Sequence, residues 1–227
     1  DMWIARNSYP GSDKFAADID DGTLERAYLN AAMELLGIFI EDNRDVIDTS
    51  RIYLSGASNG AGAAWAMVAL HPHTFAAVVP MAGTGQPQGP VTEAGAVAIA
   101  ARYLDTPIWT FHGDADPTLL IKGTDALVAA IKNAGGTKLE YTVIEGGKHN
   151  IWPTVAKMSE VIDWVFEQKN DRFENTMLPD PAVRLDANRD GNVDLADALI
   201  MLQSIANGGA HYTLNTVLDT LKSIAAK

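Results

Sequence analysis

Short apolar runs alternate with segments of helical periodicity along the first 168 residues. Five such runs are predicted strands, at residues 2–6, 51–54, 75–80, 106–111 and 138–144. The clearest helical pattern has apolar residues at Leu24, Ala27, Tyr28, Ala31, Leu35, Ile38 and Phe39. Strands that alternate with helices predict an α/β fold with a parallel sheet, in which catalytic side chains collect at the carboxyl ends of the strands.

The pattern changes after an amphipathic segment at 155–168, which is predicted to close the α/β domain. Residues 169–184 lose periodicity and contain Pro179 and Pro181, which predicts an interdomain linker. Two further helices are predicted from apolar stripes that should pack on each other, at Leu195, Leu199, Leu202 and Ile205 and at Leu214, Val217, Leu218, Leu221 and Ile224. The predicted domains are therefore 1–168, with a small all-α module at 185–227.

The composition of the chain argues against several classes of function. The 227 residues are 47% hydrophobic and 20% charged, as in globular proteins, and carry a formal net charge of -12. This charge argues against nucleic acids and anionic membranes as partners. The absence of cysteine excludes a disulfide framework and a thiol nucleophile. No apolar run approaches the roughly 20 residues of a membrane span.

The segment Gly56-Ala57-Ser58-Asn59-Gly60 is a G-x-S-x-G motif between a predicted strand and a stretch of small residues. This is the context of a nucleophile elbow, in which a tight turn presents the serine hydroxyl above the sheet. A serine hydroxyl becomes nucleophilic when a histidine takes its proton and a buried carboxylate orients that histidine. Ser58 is therefore a candidate nucleophile.

An acid and a base follow in the order that such hydrolases use. Asp114 and Asp116 come directly after the strand predicted at 106–111, and His149 follows the strand predicted at 138–144. The order Ser, Asp, His is that of hydrolases with a nucleophile elbow. His112 is expected to brace the acid loop through hydrogen bonds.

Residues 48–168 resemble the α/β-hydrolase fold, near the esterases related to feruloyl esterases and polyhydroxybutyrate depolymerases. The matching segments are 48–60, 75–83, 107–117 and 146–152. The family's H-G-x-x-D pattern places the acid at Asp116, four residues after His112. The resemblance implies a serine carboxylic-ester hydrolase that works through Ser58, His149 and Asp116 and an acyl-enzyme, without a cofactor in catalysis.

The oxyanion of the tetrahedral intermediate requires two backbone N–H donors. The first is expected on Asn59, the residue after the nucleophile. In the resembled family the second donor comes from a loop that precedes the segment similar to residues 2–6, so we expect an N-terminally truncated chain with weak esterase activity. The alternative is a substitute donor within residues 7–13. Trp152 and Met81 lie near the catalytic loops and are candidate pocket residues, with a core role as the alternative.

Residues 186–197 fit the calcium-loop pattern, with a glycine at position 6. The expected ligands are Asp186, Asn188, Asp190, Asn192 (through its carbonyl), Asp194 and Asp197. With Asp at position 12 and no entering helix, residues 182–227 resemble a dockerin module, which implies a structural Ca2+ ion and a cohesin-type scaffold partner. A second calcium loop is absent from the sequence around 209–213, and the alternative to a calcium site is an acidic turn that binds nothing.

Together these features predict a secreted serine esterase that acts on acyl or feruloyl esters of plant polysaccharide. Two other hypotheses stay open. One is a serine peptidase of the prolyl-oligopeptidase type, which shares the fold and the triad. The other is a non-catalytic, scaffold-attached binding protein that retains the triad residues.

Overall fold

The computed structural model describes residues 12–14, 17, 27–83, 91–178, 185–188, 190–207, 212 and 214–226. In these residues four strands form one sheet: β1 (Tyr53–Ala57), β2 (Ala77–Met81), β3 (Ile108–Gly113) and β4 (Leu139–Ile144). They lie in the order β1-β2-β3-β4, and each neighbouring pair is parallel. The predicted parallel-sheet α/β fold is therefore confirmed. The strand predicted at 2–6 lies outside the described residues.

Eight α-helices accompany the strands in the described part of the chain, together with 3-10 turns at Thr49–Arg51 and Ala101–Tyr103. They are α1 (Ala27–Asp42), α2 (Asn59–Leu70), α3 (Glu93–Ala100), α4 (Lys122–Asn133), α5 (Trp152–Val155), α6 (Ser159–Glu167), α7 (Leu195–Ala206) and α8 (Leu214–Ala225). The helix predicted at 155–168 corresponds to α6, which begins four residues later than predicted, and the short helix α5 that precedes it was not predicted. None of the described helices has the length and hydrophobicity needed to span a bilayer.

The chain divides into two compact units, one of residues 1–33 and 48–176 and the other of residues 34–47 and 177–227. In the first, small residues of α2 such as Ala61 and Gly62 are buried and let this helix lie close to β1 and β2. Trp65 of α2 contacts the ring of Tyr103 edge-on, and the Tyr103 hydroxyl donates to the Trp65 carbonyl. The apolar interior of this unit fixes the strand ends that carry the candidate site.

Residues 169–176, the first part of the predicted linker, are bonded into the first unit. The Asn170 side chain and the Glu174 N–H both donate to the His73 carbonyl, at 2.6 and 3.2 Å. Arg172 pairs with Asp105 at 2.8 Å. Residues 179–184 lie outside the described part, and the boundaries at 168 and 185 stay predictions.

Helix α1 buries a different face from the one predicted. Leu29, Met33 and Ile40 are buried, whereas Leu35 and Phe39, which the pattern assigned to the buried face, are exposed. Apolar residues lie on several sides of this helix and do not form a single stripe. Periodicity therefore indicated the helix but did not select its buried side.

The predicted packing of α7 against α8 is confirmed, but only part of each predicted stripe is buried in it. The leucines of both stripes are exposed, namely Leu195, Leu199, Leu202, Leu214, Leu218 and Leu221. The buried cluster between the two helices is formed by Ala198, Met201 and Val217, with Ile205 packed against it. Val217 and Ile205 belong to the predicted stripes, whereas Ala198 and Met201 do not. Thr220 is fully buried, and its hydroxyl donates to the Thr216 carbonyl at 2.9 Å. The stripes therefore identified Val217 of α8 but not the residues of α7 that are most deeply buried.

Candidate active site

Ser58 lies at the turn between β1 and α2, as predicted for a nucleophile elbow. Its backbone has φ 54° and ψ -119°, a positive φ that residues other than glycine seldom adopt. The Ser58 N–H donates to the Met81 carbonyl at 2.9 Å, and the Ser58 carbonyl accepts from the N–H of Ala61 at 3.0 Å. These bonds hold the strained turn at the carboxyl end of the strand.

The two glycines of the motif differ in the space available for a side chain. A Cβ built on Gly56 would lie 2.2 Å from the Gly60 carbonyl oxygen, so no side chain fits there without moving the backbone. A Cβ on Gly60 would meet nothing within 4 Å. The close approach of strand and helix therefore requires glycine at position 56 and not at position 60.

Three of the predicted site residues are brought into one hydrogen-bonded line. His149 Nε2 lies 2.8 Å from Ser58 Oγ, and His149 Nδ1 lies 2.8 Å from Asp116 Oδ2. The carboxylate only accepts, so Nδ1 carries a proton and Nε2 is left to accept the serine proton. Ser58 follows β1, Asp116 follows β3 and His149 follows β4, so the strand-end placement predicted from the sequence is also observed.

Asp116 is buried but well supplied with donors. Its Oδ1 accepts the backbone N–H groups of Thr118 and Leu119 at 2.8 and 3.0 Å. Burial by itself would raise the pKa of Asp116, but the bonds from His149, Leu119 and Thr118 outweigh it and hold the pKa below its usual value. The group is therefore a carboxylate at neutral pH and suited to orient an imidazole.

Asp114, the other candidate acid, points elsewhere. Its carboxylate accepts the Gly146 N–H at 2.7 Å, and the side chain is exposed. The histidine ring is bonded to Asp116 instead. The geometry thus agrees with the H-G-x-x-D assignment of the acid.

His112 is fully buried beneath the acid loop. Its Nε2 lies 2.9 Å from the Leu119 carbonyl oxygen and its Nδ1 lies 2.7 Å from Thr124 Oγ1. Because a carbonyl only accepts, Nε2 donates and Nδ1 accepts from the threonine hydroxyl. These contacts match the bracing role predicted for His112. Thr124 was missed, since nothing in the sequence marks a threonine of α4 as a partner of this ring.

The other predicted residues of this site lie next to Ser58 or His149. The Asn59 N–H is at the first position of α2, next to Ser58. The Trp152 ring meets the His149 ring edge-on with centroids 5.8 Å apart. Met81 is partly buried at the end of β2, and its carbonyl accepts the Ser58 N–H. Its side chain packs against the apolar cluster that includes Phe111. Of residues 7–13, where a substitute oxyanion donor was considered, only 12 and 13 are described.

The predicted calcium loop folds around its own carboxylates. Asp186 accepts the N–H groups of Asp190 and Gly191 at 3.1 and 2.8 Å, and Asp197 accepts those of Asn188 and Asp194 at 3.1 and 2.8 Å. Gly191, at position 6, has φ 88°, the conformation that the pattern assigns to glycine there.

These observations fit calcium in chemistry and backbone shape, because the side chains at positions 1, 3, 5, 9 and 12 of the loop all offer oxygen atoms. Within the described residues, however, no three acidic or histidine side chains are grouped closely enough to hold a metal ion as they stand. The carboxylates of Asp186 and Asp197 are engaged with backbone N–H groups instead.

Comparison with known proteins gives the family context of the site. Residues 17–166 match the sequence model of the phospholipase/carboxylesterase family. A solved structure of a thermostable esterase is 32% identical, with a TM-score of 0.50, and the match covers 60% of this chain and 36% of that esterase. A variant of SOBER1 from Arabidopsis thaliana is 18% identical, with a TM-score of 0.50 and 73% of each chain covered, which indicates a shared fold. No curated protein matches the chain.

Proposed function

The chain belongs to the phospholipase/carboxylesterase family, and we propose that it is a serine carboxylic-ester hydrolase that uses Ser58, His149 and Asp116. The observation that carries the proposal is the pair of 2.8 Å hydrogen bonds joining Ser58 to His149 and His149 to Asp116. A solved esterase at 32% identity supports the same class of reaction.

Acylation begins when the Ser58 Oγ attacks the ester carbonyl carbon while His149 Nε2 takes its proton. The positive charge that forms on the imidazole is stabilised by the Asp116 carboxylate through the Nδ1 proton. The Asn59 N–H, at the start of α2, is the proposed donor to the oxyanion. Nε2 then returns the proton to the departing alkoxide, which leaves as the alcohol and gives an acyl-enzyme on Ser58.

Deacylation repeats these steps with water in place of serine. His149 Nε2 takes a proton from the water, the resulting hydroxide attacks the acyl carbon, and Ser58 leaves with the proton that Nε2 returns. The products are a carboxylic acid and the regenerated serine. Because every proton moves through one nitrogen atom, the 2.8 Å contact with Ser58 Oγ is the contact on which both halves depend.

For the substrate we propose acyl or feruloyl esters of plant polysaccharide. Support comes from the resemblance to feruloyl esterases and from the dockerin-like pattern at 182–227. Trp152, whose ring lies against His149, is the proposed aromatic wall for a flat acyl group, with Met81 near the nucleophile.

The test is a panel of matched esters and amides. We expect the wild-type chain to hydrolyse p-nitrophenyl acetate and methyl ferulate far faster than the corresponding anilides, and Ser58→Ala to lose this activity. Ser159→Ala, which removes an exposed serine at the start of α6, is the control and should retain it. Preference for the amides would favour the peptidase hypothesis instead, and equal rates for Ser58→Ala and wild type would contradict the mechanism.

We also propose that residues 185–227 form a dockerin-like module that binds Ca2+ and a cohesin-type scaffold outside the cell. The ion would be held by the oxygen atoms of Asp186, Asn188, Asp190, Asn192, Asp194 and Asp197, and it would fix the loop that precedes α7. The six exposed leucines of α7 and α8 support a protein partner, since such stripes are more often buried. If Leu199→Glu and Leu218→Glu leave cohesin binding unchanged, this surface is not the interface.

A further inference from the structure

Two loops of the candidate site are tied together by a side chain to which the mechanism gives no role. The Asp114 carboxylate, after β3, accepts the N–H of Gly146, after β4, at 2.7 Å. The same loops share two backbone bonds, from Asp114 N–H to the Ile144 carbonyl at 3.3 Å and from Ala115 N–H to the Gly147 carbonyl at 3.0 Å. Of these three contacts, the one made by a side chain is also the shortest.

We propose that Asp114 is a positioning residue of the esterase: through Gly146 it holds the loop that places His149 between Ser58 and Asp116. The inference rests on the proposed function. Asp114 stands two residues before the acid and Gly146 three residues before the base, so one hydrogen bond fixes the distance between the two loops close to both groups.

The loop that carries His149 needs such a restraint. Gly146 adopts φ 65° and is followed by another glycine, and glycine has more backbone conformations available than any other residue. His149 meets its partners at 2.8 Å on both sides, and a shift of about 1 Å in a catalytic group costs on the order of a hundredfold in rate. A hydrogen bond to a carboxylate oxygen is shorter and stronger than one between neutral groups, so it restricts the loop more than the two backbone bonds do. An amide oxygen at the same position would keep much of this restraint.

This role differs from that of a catalytic acid and from that of a general fold contact. Asp114 acts through Gly146, and its carboxylate does not bond the His149 ring. Removal of the Asp114 carboxylate should therefore slow the steps that depend on His149 without changing substrate binding. An asparagine at 114 keeps an acceptor oxygen at the same position, whereas an alanine removes it. The pair of substitutions therefore separates loss of the acceptor from loss of the charge.

The test measures kcat and KM for wild type, Asp114→Ala and Asp114→Asn, each also in a His149→Ala background. We expect Asp114→Ala to lower kcat by about ten- to a hundredfold with KM unchanged, and Asp114→Asn to recover activity to within about threefold of wild type. In the His149→Ala background, Asp114→Ala should cause no further loss, because the group that it positions is gone. Asp163→Ala, at an exposed aspartate of α6, is the control.

Three results would overturn the proposal: wild-type kcat in Asp114→Ala, an Asp114→Asn variant as impaired as Asp114→Ala, or an equal further loss in the His149→Ala background. Thermal unfolding of each variant shows whether it is folded at the assay temperature. If Asp114→Ala is not, Asp114→Ser, which keeps a polar side chain too short to reach Gly146 directly, takes its place.

A readout that does not need turnover separates this proposal from the proposed function. The proton on His149 Nδ1, bonded to Asp116, is expected as a sharp low-field NMR resonance in wild type and Asp114→Asn, and as a broadened one in Asp114→Ala. A wild-type chain with that resonance and no esterase activity contradicts the proposed function alone. An unchanged resonance in Asp114→Ala contradicts the positioning role.

Discussion

Asp116 stays charged in a buried position because three groups form hydrogen bonds with its carboxylate. Two backbone N–H groups bond one carboxylate oxygen, and His149 bonds the other at 2.8 Å. The fully buried His112 lies below, with its Nε2 3.3 Å from Asp116 Oδ2. The carboxylate is therefore held in place by its own loop as well as by His149.

Asp116→Asn should leave this loop folded and disable the histidine. An asparagine keeps one acceptor oxygen but brings an N–H₂ donor, which favours the wrong tautomer of His149. We expect kcat/KM to fall by a factor on the order of 10⁴ with little change in KM. Steady-state kinetics on p-nitrophenyl acetate give the result, with Asp163→Asn as the matched control, and a loss below about tenfold would remove Asp116 from the triad.

The lowered pKa of Asp116 also predicts how stability depends on pH. The folded state binds the proton less readily than the unfolded chain, so Asp116 stabilises the fold above the unfolded value of about 3.9. This contribution is lost as the pH falls through the lower pKa of the folded state. Urea unfolding between about pH 6 and pH 3 should show a steeper loss in wild type than in Asp116→Asn; parallel curves would mean that the pKa is not lowered.

At this scale the sequence predicted much of the candidate site. The elbow serine, the acid four residues after His112 and the histidine after the last strand all lie where the strand pattern and the motifs placed them. The bond from Asp114 to Gly146 was not predicted, because sequence adjacency does not show that two strand-end loops touch. Thr124 was missed because nothing in the sequence marks a threonine of α4 as a partner of His112.

At the scale of elements, the tight turn between β1 and α2 sets what the motif tolerates. Gly56 faces the backbone of Gly60 at a distance that leaves no room for a methyl group, whereas the space beside Gly60 is open. Ordinary sequence matching treats the two glycines alike. The structure predicts that they respond in opposite ways to alanine.

Gly56→Ala should destabilise the chain by about 1–3 kcal/mol, because strand and helix must separate. Gly60→Ala should be neutral or stabilising by up to about 1 kcal/mol, because alanine loses less backbone entropy in a helix. Denaturant unfolding of the two variants beside wild type provides the comparison. Equal destabilisation by both substitutions would contradict the packing described for the elbow.

Helix faces were the least predictable part of the fold. Periodicity places residues on a common side of a helix, but it does not show which side is covered when apolar residues occur on several. In α7 and α8, Ala198, Met201 and Val217 are buried while the leucines are exposed. Because these helices carry apolar residues on more than one side, the spacing of the leucines did not determine which side is buried.

In the molecule as a whole, one compact unit carries the candidate hydrolase site and the other carries a loop suited to calcium. If the loop binds Ca2+ only when it is folded, the ion stabilises its unit by mass action. We expect millimolar Ca2+ to raise the melting temperature of the full chain relative to EDTA, and Asp186→Asn to reduce the shift. Mg2+, which prefers a tighter octahedral set of ligands, is the control ion.

A melting curve that is the same in Ca2+ and in EDTA would identify residues 186–197 as an acidic turn without a metal. That result would leave the esterase proposal intact, because none of its catalytic residues lies in this loop. The calcium and esterase proposals therefore stand on separate experiments.

Covalent labelling shows directly whether His149 activates Ser58. A fluorophosphonate reacts with a serine only when a base has made it nucleophilic. We predict one label per wild-type chain, located at Ser58 by peptide mass spectrometry, absent from Ser58→Ala, strongly slowed in His149→Ala and unchanged in Ser159→Ala. A folded wild-type chain that takes up no label, or that carries it at another residue, would contradict the account.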